Sequence, residues 1–439
     1  MQAFSNFGWF LVLIGVMIVI HELGHYWAAR FFDVRVDTFS IGFGPRLFGF
    51  RKGETDFRLS LIPFGGYVRM AGEHPTDQPD PRGLLSKPRW QRLIVVFAGP
   101  AMNLVLAVAI LTGLYMTKYP KLASAESRAV IGAVMPDSPA AKAGLQEGDR
   151  IVQIDDKQDP VWEDVFLKEV SNANRELPLL VSRDGALVRA VVTPNMDSAN
   201  GIGSAGWVPE TEVEIHGVEP GMDAERKGLH KGDIIVSVNG HAARTTPKVH
   251  EMIRNSEGKP LDVVYKRDEK VGHVTLEPAF KNTDGTPRWM IGAQIGPRVI
   301  YSKLGLTDAV KESVSQNAKG AGLIFQFLRG IIERRMSAKS LEGPIRIAQL
   351  SGEAAREGAV TYIGLMATVS LNLALFNLLP IPILDGGVIL LLLIEMLMRR
   401  DLSQPIKETV FKLGFVFLMM VVVFVLYNDI SKVLPGGRG

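Results

Sequence analysis

His21-Glu22-Leu23-Gly24-His25 sets two imidazoles four residues apart, with a carboxylate beside the first. On a helix, residues i and i+4 share a face, so both rings can grip one Zn²⁺ at about 2.0–2.1 Å. Glu22 then stands where it can take a proton from water at the metal. Two imidazoles are one short of the three protein ligands usual in a catalytic zinc site. Asp37, Glu54, Asp56, Glu73 and His74 are candidates close by in the chain, and Asp385 is a distant one. The chain has no cysteine, which excludes disulfides, iron–sulfur ligation and cysteine zinc knuckles.

Choosing among these carboxylates requires the elements that carry them. The chain has 439 residues, and its 49 Lys and Arg nearly balance its 46 Asp and Glu, for a net charge of +3. That balance argues against a nucleic-acid binder, which needs a basic surface for phosphate contacts. The charges are unevenly spread. Residues 1–20, 93–117, 358–384 and 413–428 contain no charged side chain, and about 20 apolar residues suffice for a helix to cross the hydrocarbon core. Four spans follow, with the first retained, because it lacks a basic leading region and a small-x-small cleavage site. The boundaries read as a first span over 1–30, a cytoplasmic loop over 31–91, a second span over 92–117, a soluble centre over 118–297, a helical segment over 298–357, a third, broken span over 358–398 and a fourth span over 409–430. Arg and Lys crowd the 31–92 connection and the turn at Arg399, Arg400, Lys407 and Lys412. The positive-inside rule puts both in the cytoplasm, and the soluble centre and both termini on the outer, periplasmic side.

The third span cannot be one straight helix. Pro380 and Pro382 remove two backbone donors and disfavour helix just before them, Asp385-Gly386-Gly387 follows as a turn, and a second apolar helix starts at Val388. Broken backbone at membrane depth is tolerated only beside protein or water, so the break points to a site. Spans one and three run the same way, and His21 and Asp385 fall at similar depths. An intramembrane carboxylate needs a partner, and a zinc with two imidazoles needs a carboxylate, which favours Asp385.

The soluble centre repeats itself. Gly144-Leu145-Gln146-Glu147-Gly148-Asp149-Arg150-Ile151 and Gly228-Leu229-His230-Lys231-Gly232-Asp233-Ile234-Ile235 match, and each is followed by an alternating apolar strand and a turn. The pattern resembles PDZ domains of bacterial membrane and periplasmic proteases, which implies two α+β copies, over 118–207 and 208–297. PDZ domains accept peptide termini as an added strand; a steric filter over the membrane part is the other role open to the pair. Downstream, Leu304 to Arg334 carries Val310, Val314, Leu323, Ile324, Phe327 and Ile331 at helical spacing between basic residues, the pattern of an interfacial helix.

Taken together, His21-Glu22-x-x-His25, Asn377-x-x-Pro380-x-Pro382-x-Leu384-Asp385-Gly386 and the tandem repeat between them resemble the site-2 protease family along essentially the whole chain. The resemblance implies a membrane protein with a mainly α transmembrane core of four helices, a membrane-associated β-hairpin and two inserted α+β PDZ domains. It implies an intramembrane zinc metalloprotease in the bacterial inner membrane. Such enzymes cut single-span substrates, such as an anti-sigma factor or signal-peptide remnants, after a first outer-side cleavage, as part of a stress response. By position, His21, His25 and Asp385 become the zinc ligands and Glu22 the general base. Asn377 becomes a group that holds the substrate backbone or the oxyanion. Ile62 to Val68, read as a strand with a Gly turn, matches the family's hairpin, making Gly65, Gly66 and Tyr67 substrate contacts. Gly99-Pro100-x-x-Asn103 also recurs in the family and reads as close helix packing. Many relatives have His where this chain has Val388. A non-catalytic PDZ adaptor with a structural zinc is the competing reading; it would need a fourth protein ligand.

Overall fold

The computed structural model describes residues 2–73, 80–117, 119–122, 127–196, 202–283, 286–333, 338 and 341–433, which leaves His74 outside the described residues. The chain forms two compact units: Met1–Tyr119 with Lys303–Phe325 and Leu341–Gly439, and Pro120–Ser302 with Gln326–Ser340.

In the first unit, α1 (Gln2–Phe31) leads into the antiparallel pair β1 (Val36–Lys52) and β2 (Thr55–Met70), and α2 (Arg89–Met116) follows. The pair is more folded than a simple hairpin. Ser40 partners both Tyr67 and Arg58, and Ile41 partners both Gly66 and Leu59, whereas residues 46–52 partner only the first half of β2. The first half of β1 is therefore central, and residues 66–70 form an outer edge. Gly53-Glu54 makes the reversal between the strands. The turn expected at Gly65-Gly66 is instead a bend inside β2, with Gly65 at φ +122°, a backbone setting that suits glycine. Val36, Phe39, Val68 and Met70 pack with Ala29 of α1 and Val95 of α2, fastening the pair to both helices.

Within the second unit, two sheets repeat one plan. The first has strand order Lys157–Gln158, Arg150–Ile154, Leu177–Arg183, Ala186–Val192, with a separate pair of Ile131–Val134 and Trp207–Pro209. Helices α3 (Pro139–Lys142) and α4 (Trp162–Ser171) accompany it. The second has order Lys270–Leu276, Leu261–Arg267, Ile234–Val238, Val213–Val218, Ala293–Pro297, with α5 (Asp223–Arg226) and α6 (Thr246–Asn255). Each half has its own core, around Ile131, Ile151, Trp162 and Val181 in one and Ile215, Ile235, Val249 and Val263 in the other.

The matching loops explain the repeated Gly-Asp. Asp149 accepts from the Gln146 N–H and a two-pronged bond from Arg183, at 2.7 Å to each oxygen. Asp233 does the same with His230 and Arg267, at 2.6 Å to each oxygen. Both guanidinium groups also reach a loop carbonyl, Gly144 in one copy and Gly228 in the other. One buried carboxylate thus ties loop to strand in each copy.

The remaining helices are α7 (Leu306–Ile332), α8 (Pro344–Glu357), α9 (Ala359–Asn377), α10 (Asp385–Met398) and α11 (Gln404–Val433). The helical segment expected over 298–357 contains α7 and α8. In the first, Ala309, Ser313 and Asn317 are buried while Val310 and Val314 are exposed, and Ser313 receives a hydrogen bond from Thr112 of α2. The second lies on α1: Gly352 leaves no room for a side chain beside Asn6, and Arg356 donates to Asn6 at 2.8 Å. Asp429 of α11 caps α8 by accepting from the N–H groups of Gly343, Ile345 and Arg346.

Among the described residues, four helices are long and apolar enough to cross a membrane: Phe4–Phe31, Arg89–Met116, Ala359–Asn377 and Gln404–Lys432. Their outward faces expose large apolar side chains such as Val105, Val416, Phe417 and Val423, while Asn103 and Ser370 are buried between helices. That inside-out distribution suits helices in lipid.

Candidate metal centre

His21, Glu22 and His25 lie ten to six residues from the end of α1, where regular helix puts the two imidazoles on one face. The approach of α2 to that face depends on two glycines. A Cβ on Gly24 would run into the Ala98 carbonyl, and one on Gly99 would collide with the His25 ring and lie 2.9 Å from His21 Nε2. Pro100 follows inside α2. The Val95 carbonyl, on the same stretch, accepts from His25 Nδ1 at 2.9 Å.

The third component comes from the break after α9. Ile383 is held at φ +91°, which is costly for a β-branched residue and needs support from its surroundings. Asp385, Gly386 and Gly387, expected as a turn, form the first turn of α10. Side chains at either glycine would strike the backbone of Leu378 and Leu379 or of Ile381, so the break folds tightly onto the helix it starts. This folding brings Asp385 to α1.

The donor atoms converge. His21 Nε2 is 3.2 Å from His25 Nε2 and 3.2 Å from Asp385 Oδ2, and His25 Nε2 is 3.7 Å from Asp385 Oδ1. Ligands at zinc bond lengths on a tetrahedron stand about 3.3 Å apart, so the donor spacing fits the ion. Among the described residues this is the group of His and carboxylate side chains close enough to share a metal. A second observation fits as well. A metal on Nε2 leaves the proton on Nδ1, where it needs an acceptor, and His25 has one in the Val95 carbonyl.

The other acidic candidates are engaged elsewhere. Asp37 accepts from Arg35 at 2.9 Å, Glu54 from Arg82 at 2.9 Å, and Asp56 pairs with Arg46 at 3.2 Å. Glu73 accepts from the Met70 N–H at 3.2 Å.

Glu22 is buried and faces β2: a Cβ on Gly66 would sit 3.0 Å from its Cγ. Gly65 lies over the Phe43 ring, and Tyr67 stacks on Phe43 with centroids 6.0 Å apart and accepts from Arg58. Gly66 is thus brought to the centre, whereas Gly65 and Tyr67 pack on β1. Asn377 ends α9, half-buried, and its amide has no hydrogen-bond partner among the described residues. One further residue at the centre carries a sequence signature of close helix packing alone. Asn103 of α2 is fully buried, with its amide 3.3 Å from His21 Nδ1.

The model of peptidase family M50 matches residues 9–421. The chain is 30% identical to the regulator of sigma-E protease RseP of Salmonella typhimurium over 97% of this chain and 98% of that protein. It is 31% identical to protease RseP of Yersinia pestis over 96% and 98%. Among solved structures, the PDZ domain of the SdrC-like protein from Listeria monocytogenes is 24% identical, covering 20% of this chain and 90% of that chain with a TM-score of 0.18.

Proposed function

The chain belongs to peptidase family M50 and is a zinc metalloprotease; from that premise we propose that His21, His25 and Asp385 hold the zinc and that the bond cut lies within a membrane-embedded substrate segment. The observation that carries this reading is the meeting of three donors, from α1 and from the start of α10, at 3.2–3.7 Å. When bound, zinc polarises the scissile carbonyl and lowers the pKa of its water toward about 7.

The rest of the chemistry falls to this chain's side chains. Glu22 accepts the proton from the attacking water and returns it to the leaving amine. Its buried place against Gly66 keeps it beside the outer edge of β2, whose residues 66–70 are partnered on one side by β1. A substrate helix has its carbonyls hydrogen-bonded and must unwind before attack. Adding the unwound segment as a strand to this edge holds it open within reach of Glu22. Asn377, with its amide free among the described residues, is suited to hold the substrate backbone or the developing oxyanion.

The two repeated halves of the soluble unit are PDZ-type domains, on the periplasmic side of an inner membrane, with both termini on that side. They exclude substrates that still carry a bulky outer domain. The substrates are single-span segments left by an earlier cut, such as an anti-sigma factor or a signal-peptide remnant.

The test is zinc content and cleavage of a labelled single-span peptide by the full chain in detergent. Glu22→Gln is expected to keep its zinc and lose cleavage by at least about 10²-fold, and Asp385→Ala to lose both. Zinc and cleavage surviving in Asp385→Ala would show that the third ligand lies elsewhere.

A further inference from the structure

Asn103 is fully buried on α2, yet its Oδ1 has no hydrogen-bond partner among the described residues. Its Nδ2 lies 3.3 Å from His21 Nδ1. A buried amide oxygen is unfavourable without a donor. The oxygen and nitrogen of an amide have nearly the same shape, and their places are assigned from their partners. If His21 binds zinc through Nε2, as the metal-site reading above requires, its Nδ1 carries a proton and must donate. Turning the Asn103 amide over puts Oδ1 opposite that proton, which gives the orphaned oxygen a donor and the imidazole an acceptor together.

The backbone is arranged to hold Asn103 there. Ser370 of α9, also fully buried, donates its hydroxyl to the Asn103 carbonyl at 2.8 Å. Gly99, one turn earlier on α2, lets the helix come close enough for the amide to reach the ring. His25 already has the corresponding acceptor, the Val95 carbonyl, from the same helix. Both imidazoles are thus oriented from α2, one by backbone and one by a side chain.

We propose that Asn103 is a positioning residue for the zinc: its amide oxygen accepts from His21 Nδ1–H, fixing the tautomer and ring orientation that present Nε2 to the metal. Such outer partners typically change metal affinity 10–100-fold.

The experiment measures zinc affinity of the full-length protein in detergent by competition with a chromophoric chelator, and needs no cleavage readout. Asn103→Leu is expected to weaken zinc binding roughly 10–100-fold. Asn103→Asp can accept but not donate, and is expected to hold zinc about as tightly as wild type. Leucine without effect, or aspartate failing as badly as leucine, would overturn the proposal. His21→Ala is the reference: if it retains zinc, the metal site itself is misassigned, which is a separate failure from that of Asn103.

Discussion

At the scale of single residues, the centre depends as much on what is missing as on what is present. Gly99 gives the His25 and His21 rings the space they occupy. Gly99→Ala is therefore expected to push the imidazoles off their positions. A shift of about 1 Å at a reacting group costs on the order of 10² in rate, and zinc affinity should fall with it. Gly113→Ala, on the same helix with nothing within 4 Å of its Cβ, should leave zinc affinity and cleavage at wild-type values. Parallel zinc titration and peptide cleavage of the two variants checks both statements. The HExxH pentapeptide made the two imidazoles and Glu22 legible without any structure, because i and i+4 meet on any helix. Asn103 was not legible in that role. A Gly-Pro-x-x-Asn run in an apolar helix looks like packing until a second helix supplies the ring that its amide faces.

At the scale of elements, the two soluble halves use one device. Burial alone would raise the Asp233 carboxyl, but the Arg267 guanidinium and the His230 N–H outweigh it and hold the group below the ordinary aspartate value of 3.8. A depressed acid contributes stability that is present above the unfolded value and disappears as pH falls through the folded one. The second half should accordingly lose stability in acid below about pH 4. Asp233→Asn should be less stable than wild type near neutral pH by about 1.5–3 kcal/mol, the scale of hydrogen bonds to a charged group. Its melting temperature should also depend less on pH across the acid range. Glu169 in the first half has the opposite sign. Burial raises its carboxyl although it accepts from the Ala205 N–H and the Trp207 indole, so its contribution is present in acid and lost as pH rises. The repeated Gly-Asp was visible in sequence, but its Arg partners were not. They sit on a later strand, and only the sheet pairing brings that strand back to the loop.

At the scale of the whole molecule, the arrangement across the membrane can be tested cleanly because the chain contains no cysteine. The positive-inside reading places Lys52, exposed in the β1–β2 pair, in the cytoplasm and Lys231, exposed in the second soluble half, outside. A membrane-impermeant maleimide should label Lys231→Cys in spheroplasts and reach Lys52→Cys only after the membrane is opened. The reverse pattern would invert the topology and put the soluble unit on the wrong side to act as a filter for outer domains.

Local rules alone make four features of the linear chain readable: apolar runs of spanning length, a helix break at Pro380 and Pro382, a duplicated module, and two histidines four residues apart on the first helix. Hydrophobic periodicity, proline chemistry and residue spacing act over a few residues, so no fold is needed to read them. The tertiary structure decided which carboxylate meets the histidines, how β1 folds back between the two halves of β2, and that α8 lies on α1. Asp37, Glu54 and Asp56 were nearer in sequence, but each is spent on an arginine. Asp385 arrives from more than three hundred and fifty residues away because the tightly folded break sets the start of α10 against the glycine-lined face of α1 and α2. Contacts at that separation are set by how helices close on one another, and that closure depends on packing across the whole bundle.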